Sequence, residues 1–151
     1  MKNVIAAAFA GLIAITGIMF NTAMAEIKIG KKDAQLTVQS CAMVETITKQ
    51  AVFRMSEGHS ADEVGVLMLN NSAKLKDELD TNNWIALTFV FNSLNKINND
   101  LNSKEIHDYI RSQGYNVTTP NLAAFISGYY GNYCMKHIGE KFTHMVIVEL
   151  I

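Results

Sequence analysis

The stretch Ser40–Gly58 reads SCAMVETITKQAVFRMSEG and decides how the rest of the chain folds. A set of mostly apolar residues recurs in this stretch at steps of three and four, which is the spacing of one face of an α-helix. These residues are Cys41, Val44, Thr48, Ala51, Val52 and Met55, with Ile47 beside them. Gly58 is a typical C-terminal cap. The stretch therefore predicts a long amphipathic helix that begins near Ser40 and buries one face.

Two short helices are expected directly after this long one. Ser60, with Glu63 three residues later, has the pattern of a capping box, in which each residue satisfies a backbone N–H of the other. The apolar run over residues 64–69 then predicts about two helical turns. The polar residues 70–72 are expected to break this helix, and a brief second helix is expected to run through Leu79.

Three further helices are predicted in the second half of the chain. An apolar block, followed by leucine and isoleucine at three- and four-residue steps, predicts one helix from about residue 83 to 100 with its first half buried. A short helix is expected within residues 103–114. Thr119 as N-cap and Pro120 as first helical residue predict the start of a last helix, which runs through Cys134.

The two ends of the mature chain have a different pattern. In residues 26–39 apolar side chains alternate on either side of a polar turn at Gly30–Asp33, which predicts a short strand or an ordered lead-in. Residues 145–151 are apolar and β-branched. This tail is expected to add a strand to the N-terminal segment, to pack on the helices, or to dock on a partner, and burial is the favoured interpretation.

These patterns together predict a mainly α fold. We expect one compact domain over residues 26–151, a bundle of about five helices with a short strand at the mature N-terminus and in the C-terminal tail. The sequence contains no internal repeat and no linker.

Residues 1–25 have the layout of a secretory signal peptide. They contain 18 apolar residues and one charged side chain, Lys2, and end in the small-residue site Ala23-Met24-Ala25. We expect export to the periplasm with cleavage after Ala25 and no stable membrane insertion afterwards. An uncleaved anchor is the alternative, because the 17-residue apolar run is at the lower limit of spanning length. No basic cluster directly follows that run.

The composition of the mature chain excludes several classes of function. Its 126 residues carry a formal net charge of −2, without the basic excess of a nucleic-acid-binding protein. The sequence has no G-x-S-x-G, Walker, H-E-x-x-H, G-x-G-x-x-G or C-x-x-C motif. The four histidines are scattered. We therefore expect neither an enzyme nor a bound cofactor or metal.

Cys41 and Cys134 are the two cysteines of the chain. An exported protein with an even number of cysteines is expected to pair them as disulfides. The alternative is a metal site or reactive thiol at Cys134-Met-Lys-His137, but a metal site needs three or four ligands and no second pair has suitable spacing. The disulfide is the preferred prediction.

Three tyrosines lie close together in the last helix. Tyr129, Tyr130 and Tyr133 are candidates for binding a partner, because tyrosine offers contact area and a hydrogen bond at little entropic cost. The favoured structural alternative is that Tyr129 and Tyr133 line the core with Phe125, while Tyr130 is exposed.

The layout resembles that of small exported helical proteins of Gram-negative bacteria with two cysteines. The resemblance is carried by the leader, by a cysteine at the start of the first helix, by Phe53–Ser60 (FRMSEGHS) after it, and by Tyr133-Cys134 late in the last helix. The group includes periplasmic immunity proteins against type VI secretion amidases. It implies a non-catalytic binding protein, an inhibitor or immunity protein whose partner is a protein toxin. The alternatives are a structural or assembly component of the cell envelope that docks through residues 143–151, and an unrecognised periplasmic hydrolase.

Overall fold

A computed structural model describes residues 27–150, which form five helices flanked by two strands. The predicted mainly helical fold is confirmed, and a small antiparallel sheet is added to it. The expected signal peptide lies outside the described residues. In chain order the elements are β1 (Ile27–Gln35), α1 (Val38–Ser56), α2 (Ala61–Lys74), α3 (Thr81–Leu101), α4 (Lys104–Ser112), α5 (Thr119–Lys136) and β2 (Lys141–Leu150).

Three long helices, α1, α3 and α5, build the core. The start of α1 lies against the start of α3, where Thr37 Oγ1 donates a hydrogen bond of 2.8 Å to Asn82 Oδ1. The end of α5 joins the start of α1 through a disulfide between Cys41 and Cys134. Helix α5 therefore runs antiparallel to the other two. Their facing sides bury Ile47, Ile85, Ile97 and Ile126 almost completely.

Side-chain caps set where the helices begin. The predicted capping box of Ser60 and Glu63 is confirmed at the start of α2. The first helix begins earlier than expected, at Val38, because Thr37 accepts the backbone N–H of Ser40. Thr118, and not Thr119, caps α5, which moves Pro120 to the second helical position. Gly58 follows the end of α1 with φ of 101°, as expected of a helix-ending glycine.

The predicted break at residues 70–72 is wrong, because α2 runs unbroken from Ala61 to Lys74. Ser72 is buried, and its hydroxyl donates a hydrogen bond of 2.7 Å to the Met68 carbonyl, one helical turn back. This bond lets a turn-forming residue continue the helix. The short helix expected through Leu79 is also absent, and residues 75–78 form a turn.

The two ends of the described chain pair as antiparallel strands, from Ile27 opposite Leu150 to Gln35 opposite Lys141. The predicted turn at Gly30–Asp33 is wrong, since these residues lie in the middle of β1. Met145 and Ile147 of β2 are buried. Strand pairing and burial, two of the three interpretations of the tail, are therefore both confirmed.

The predicted disulfide between Cys41 and Cys134 is confirmed. Their Cα atoms lie 5.4 Å apart, both side chains are buried, and the bond closes a loop of 93 residues. With both sulfurs paired, Cys134 offers no thiolate to a metal ion, and the described residues contain no group of three or more His, Cys, Asp or Glu that could hold one.

Candidate partner-binding surface

The three tyrosines of α5 do not share one environment. Tyr129 and Tyr133 are half-exposed, at 49% and 50%, whereas Tyr130 is buried at 4%. This is the reverse of the structural alternative, in which Tyr130 was exposed and the other two were in the core. Tyr129 and Tyr133 therefore remain candidates for direct contact with a partner, while Tyr130 lies beneath them.

The disulfide explains which tyrosine points inward. Cys134 faces α1, so the residue four positions earlier in the helix lies on the same inner face. That residue is Tyr130, and the next one, Gly131, is also buried. Tyr129 and Tyr133 are rotated away from this face. Counting back four residues from Cys134 would have identified Tyr130 as the inward tyrosine from the sequence, and this signal was missed.

Tyr130 fixes α5 to α3 by a polar contact. Its hydroxyl donates a hydrogen bond of 2.7 Å to Asp100 Oδ2. Burial of the ring, together with this carboxylate, raises the pKa of Tyr130 well above its usual value of 10.0. The phenol therefore remains a hydrogen-bond donor throughout the physiological pH range. Its bond to Asp100 fixes the position of α5, which carries the exposed tyrosines.

The outer side of α5 carries a continuous surface, which we call the tyrosine face and define by Phe125, Gly128, Tyr129, Tyr133 and Lys136. Its aromatic members follow each other at steps of four residues, so they lie along one side of the helix. The Tyr133 ring lies 6.3 Å from the Phe89 ring and 4.6 Å from His137, and the Tyr129 ring packs edge-on at 5.3 Å against Tyr130. These contacts restrain the exposed rings.

Two clefts open on either side of Phe125. One, of about 250 Å³, is floored by Ile106 and Ile126 and has Tyr129 and Lys96 among its other lining residues. The other, of about 410 Å³, includes Tyr109 in its lining. Phe125 contributes to both, and its ring packs at 5.1 Å from that of Tyr109. The surface thus combines projecting rings with apolar hollows that are large enough for side chains of a partner.

The tyrosine face carries one charged side chain, Lys136, and a second lysine, Lys96, lies beside it. Residues 109–139 contain no aspartate or glutamate. Lys96 Nζ lies 5.7 Å from the centre of the Tyr129 ring, and Lys136 is exposed at the end of α5. Within the described residues neither lysine has a carboxylate within 4.0 Å, whereas Arg111 of α4 is engaged by Asp108. Two lysines without an ion-pair partner among the described residues therefore flank the two exposed tyrosines, and Lys96 shares its cleft with Asp100.

The histidines lie apart from this surface or at its edge, and each has a local partner. His59 contacts Glu63 at 3.1 Å, His107 contacts the Leu101 carbonyl at 2.8 Å, and His137 contacts Glu140 at 2.9 Å. His144 is buried in β2, where its Nδ1 lies 3.0 Å from the Met145 carbonyl. No two of these four residues share an element or a hydrogen bond among the described contacts.

No protein-family model, curated protein or solved structure matches the chain. Among the helices of the described region, none has the length and apolar character that a bilayer crossing requires.

Proposed function

We propose that this chain is an exported, non-catalytic binding protein that acts as an inhibitor or immunity protein against a protein toxin. The observation that carries the proposal is the pair of half-exposed tyrosines, Tyr129 and Tyr133, on helix α5. This helix is attached to α3 by a hydrogen bond and to α1 by the disulfide. Large aromatic side chains at the surface are characteristic of the centres of protein interfaces.

The rigidity of the tyrosine face supports binding of a protein. Tyr130 ties α5 to α3 through Asp100, and the disulfide ties α5 to α1. A surface that is already ordered loses little conformational entropy when a partner binds, so more of the contact energy appears as affinity. The clefts on either side of Phe125 would receive side chains of the partner.

We further propose that the mature protein acts in the periplasm, after removal of residues 1–25. A buried disulfide is the expected product of folding in an oxidising compartment. The sequence of the leader and the resemblance to exported immunity proteins support the same proposal. Docking through a free C-terminal tail has less support, since Met145 and Ile147 are buried in the described structure.

The proposed function is tested by measuring whether the protein protects cells against a toxin. The full-length chain is coexpressed with each periplasm-targeted toxin that is encoded beside its gene, and survival is measured. We expect this protection to disappear when residues 2–25 are deleted. Without the leader the protein stays in the cytoplasm and cannot reach a toxin in the periplasm. Protection that persists without the leader would contradict a periplasmic inhibitor.

The surface is tested with matched variants. Tyr129→Ala with Tyr133→Ala should weaken binding to the toxin at least tenfold, since truncating a central interface tyrosine commonly costs more than 1 kcal/mol. Phe53→Ala removes an exposed aromatic side chain on α1 and should leave affinity unchanged. Equal affinity in all three proteins would place the binding surface elsewhere.

A further inference from the structure

Packing within the described residues does not require a glycine at position 128. A Cβ atom built on Gly128 would meet no heavy atom within 4 Å. The other two glycines inside helices α1 to α5 differ, because a Cβ on Gly65 would lie 3.2 Å from Phe91 and one on Gly131 would lie 3.2 Å from Glu45. Close packing between helices accounts for these two glycines and leaves Gly128 without an explanation inside the fold.

A glycine in the middle of a helix is unfavourable, because it gives the unfolded chain more conformational freedom than alanine does. Gly128 lies on the tyrosine face, between Phe125 and Tyr129 in the sequence. The absence of a side chain there leaves a depression beside the projecting rings. Such a depression allows another backbone to approach α5 closely, which is a recognised use of glycine at binding surfaces.

The charges of the lysines near Gly128 indicate which kind of partner segment could approach α5 there. Lys96 and Lys136 stand near Tyr129 and Tyr133 without a carboxylate of the described chain in ion-pair range. The smaller cleft is lined by one lysine, Lys96, and one carboxylate, Asp100, which accepts the hydroxyl of Tyr130, so the excess positive charge on this side of α5 is that of Lys136. Partner surfaces are generally complementary in charge, which favours carboxylates opposite these two lysines.

We propose that the tyrosine face binds an acidic segment of a protein partner, whose backbone crosses α5 at Gly128 and whose carboxylates pair with Lys96 and Lys136. An apolar side chain of the same segment would enter the cleft above Ile106 and Ile126. The inference rests on the proposed binding function and specifies the chemistry of the partner.

The first test measures whether Gly128 serves the fold. Gly128→Ala should raise the melting temperature by about 2–5 °C, because alanine restricts the unfolded chain and meets no atom in the folded one. Gly131→Ala is the matched control and should not raise it, since its new methyl group would press on Glu45. A lower melting temperature for Gly128→Ala would overturn the inference.

The second test needs no known partner. A display library of random 16-residue peptides is selected on the purified mature protein, and the dissociation constants of the selected peptides are measured. We expect peptides that combine acidic with large apolar residues, and binding that weakens as salt rises from about 50 to 500 mM. Selection of neutral or basic peptides, or of none, would overturn the inference.

Matched variants locate the bound peptide. Gly128→Leu, and separately Lys96→Gln with Lys136→Gln, should each weaken binding at least tenfold. Ala42→Leu and Lys49→Gln make the same changes at exposed positions of α1 and should have no effect. Acidic peptides that bind all variants equally would count against this surface. A dimer of the chain that Gly128→Leu dissociates, seen by sedimentation, would assign the face to a second copy instead.

The two proposals fail in different ways. If protection against the toxin depends on Tyr129 and Tyr133 but the selected peptides are not acidic, the partner chemistry is wrong and the binding function stands. If acidic peptides bind through Gly128 but the exported chain protects against no toxin, the inhibitor function is wrong and the surface stands.

Discussion

The backbone N–H of Met145 donates a hydrogen bond of 2.9 Å to Thr88 Oγ1, between residues that are 57 positions apart. The hydroxyl of Thr88 in turn donates to the Trp84 carbonyl at 2.7 Å. This chain of bonds holds β2 against the middle of α3, with β1 on the other side of the strand. Covering one edge of a small sheet in this way removes a site where unpaired backbone groups invite aggregation.

Thr88 should therefore be sensitive to loss of its oxygen and tolerant of loss of its methyl group. Thr88→Val leaves the buried Met145 N–H without an acceptor, which should lower the free energy of unfolding by about 1–3 kcal/mol. Thr88→Ser keeps the oxygen and should cost about 1 kcal/mol or less. Urea denaturation measures both values. Equal losses in the two variants would show that the hydrogen bond does not stabilise β2.

The disulfide should contribute a large part of the stability. Replacing Cys41 and Cys134 together with alanine should lower the free energy of unfolding by up to about 4–5 kcal/mol, because the unfolded chain regains the entropy of a 93-residue loop. The oxidised protein, unfolded in guanidinium without reductant, should contain no titratable thiol. Detection of two thiols per chain would refute the pairing.

Tyr130 should make stability depend on pH in the alkaline range. Burial and the Asp100 carboxylate raise its pKa above 10.0 in the folded protein, so the unfolded state loses the phenol proton first. The stabilising contribution is complete below pH 10 and is lost as the pH rises above it. Tyr130→Phe should cost about 1–2 kcal/mol at pH 7 and show a shallower decline between pH 10 and 11.5.

The control for this experiment is Tyr115→Phe, which removes the hydroxyl of an exposed tyrosine near α4. Its stability should follow that of the wild-type chain at every pH. An alkaline decline that is the same in Tyr130→Phe and in the wild type would show that another group causes it.

Asp33 should titrate below its usual range. The hydrogen bond of 2.6 Å from Thr143, and then the Lys141 ammonium at 3.0 Å, lower the pKa of this β1 carboxyl from 3.8. The carboxylate thus favours the paired sheet above about pH 4, and this contribution is lost as the pH falls through the lowered pKa. Titration of the side-chain carboxyl by NMR measures the midpoint.

Thr143→Val should move the Asp33 midpoint back up toward 3.8, because the hydrogen bond that lowers it most is gone. Asp108 serves as an internal control in the same spectra. The pKa of Asp108 is lowered by its contact with Lys104, far from the sheet in the sequence, and should not change. An Asp33 midpoint unaffected by the substitution would assign its shift to Lys141 alone.

Helix positions were predictable from the sequence where a cap and a periodic apolar face agree. Ser60 and Glu63 marked the start of α2 correctly, and the helix predicted for residues 83–100 is observed as α3 with its first half buried. These signals are local, because a capping side chain bonds to a backbone group three residues away. No knowledge of the tertiary structure was needed to read them.

Two predicted interruptions failed because tertiary packing overrode local preference. Ser72 is buried against the core and satisfies its hydroxyl within the helix, so residues 70–72 stay helical. Gly30 stays extended because β2 lies beside it, and a Cβ there would come within 2.8 Å of Val148. Val148 lies far from Gly30 in the sequence, so no local pattern could reveal that contact. The Ser72 bond to Met68 is local, and the feature that the sequence did not reveal is the burial of Ser72.

That the tyrosines of α5 bind a partner stays a prediction, but the favoured orientation of their side chains was wrong. The apolar pattern of this helix is nearly the same on two sides, because α5 packs on α1 and α3 while also presenting Tyr129 and Tyr133 outward. Only the disulfide distinguishes the sides. The sequence also does not distinguish Gly131, where Glu45 of α1 approaches closely, from Gly128, where no heavy atom lies within 4 Å of an added Cβ.

The covalent ring closed by Cys41 and Cys134 also determines how the molecule responds to mechanical force. Both strands lie outside the ring, and their outer ends, Ile27 and Leu150, sit side by side. Tension applied to these two ends would unzip the sheet one residue pair at a time. The tension would then pass directly through the sulfur–sulfur bond, and the helical segments between the two cysteines, which carry Tyr129 and Tyr133, would bear no load.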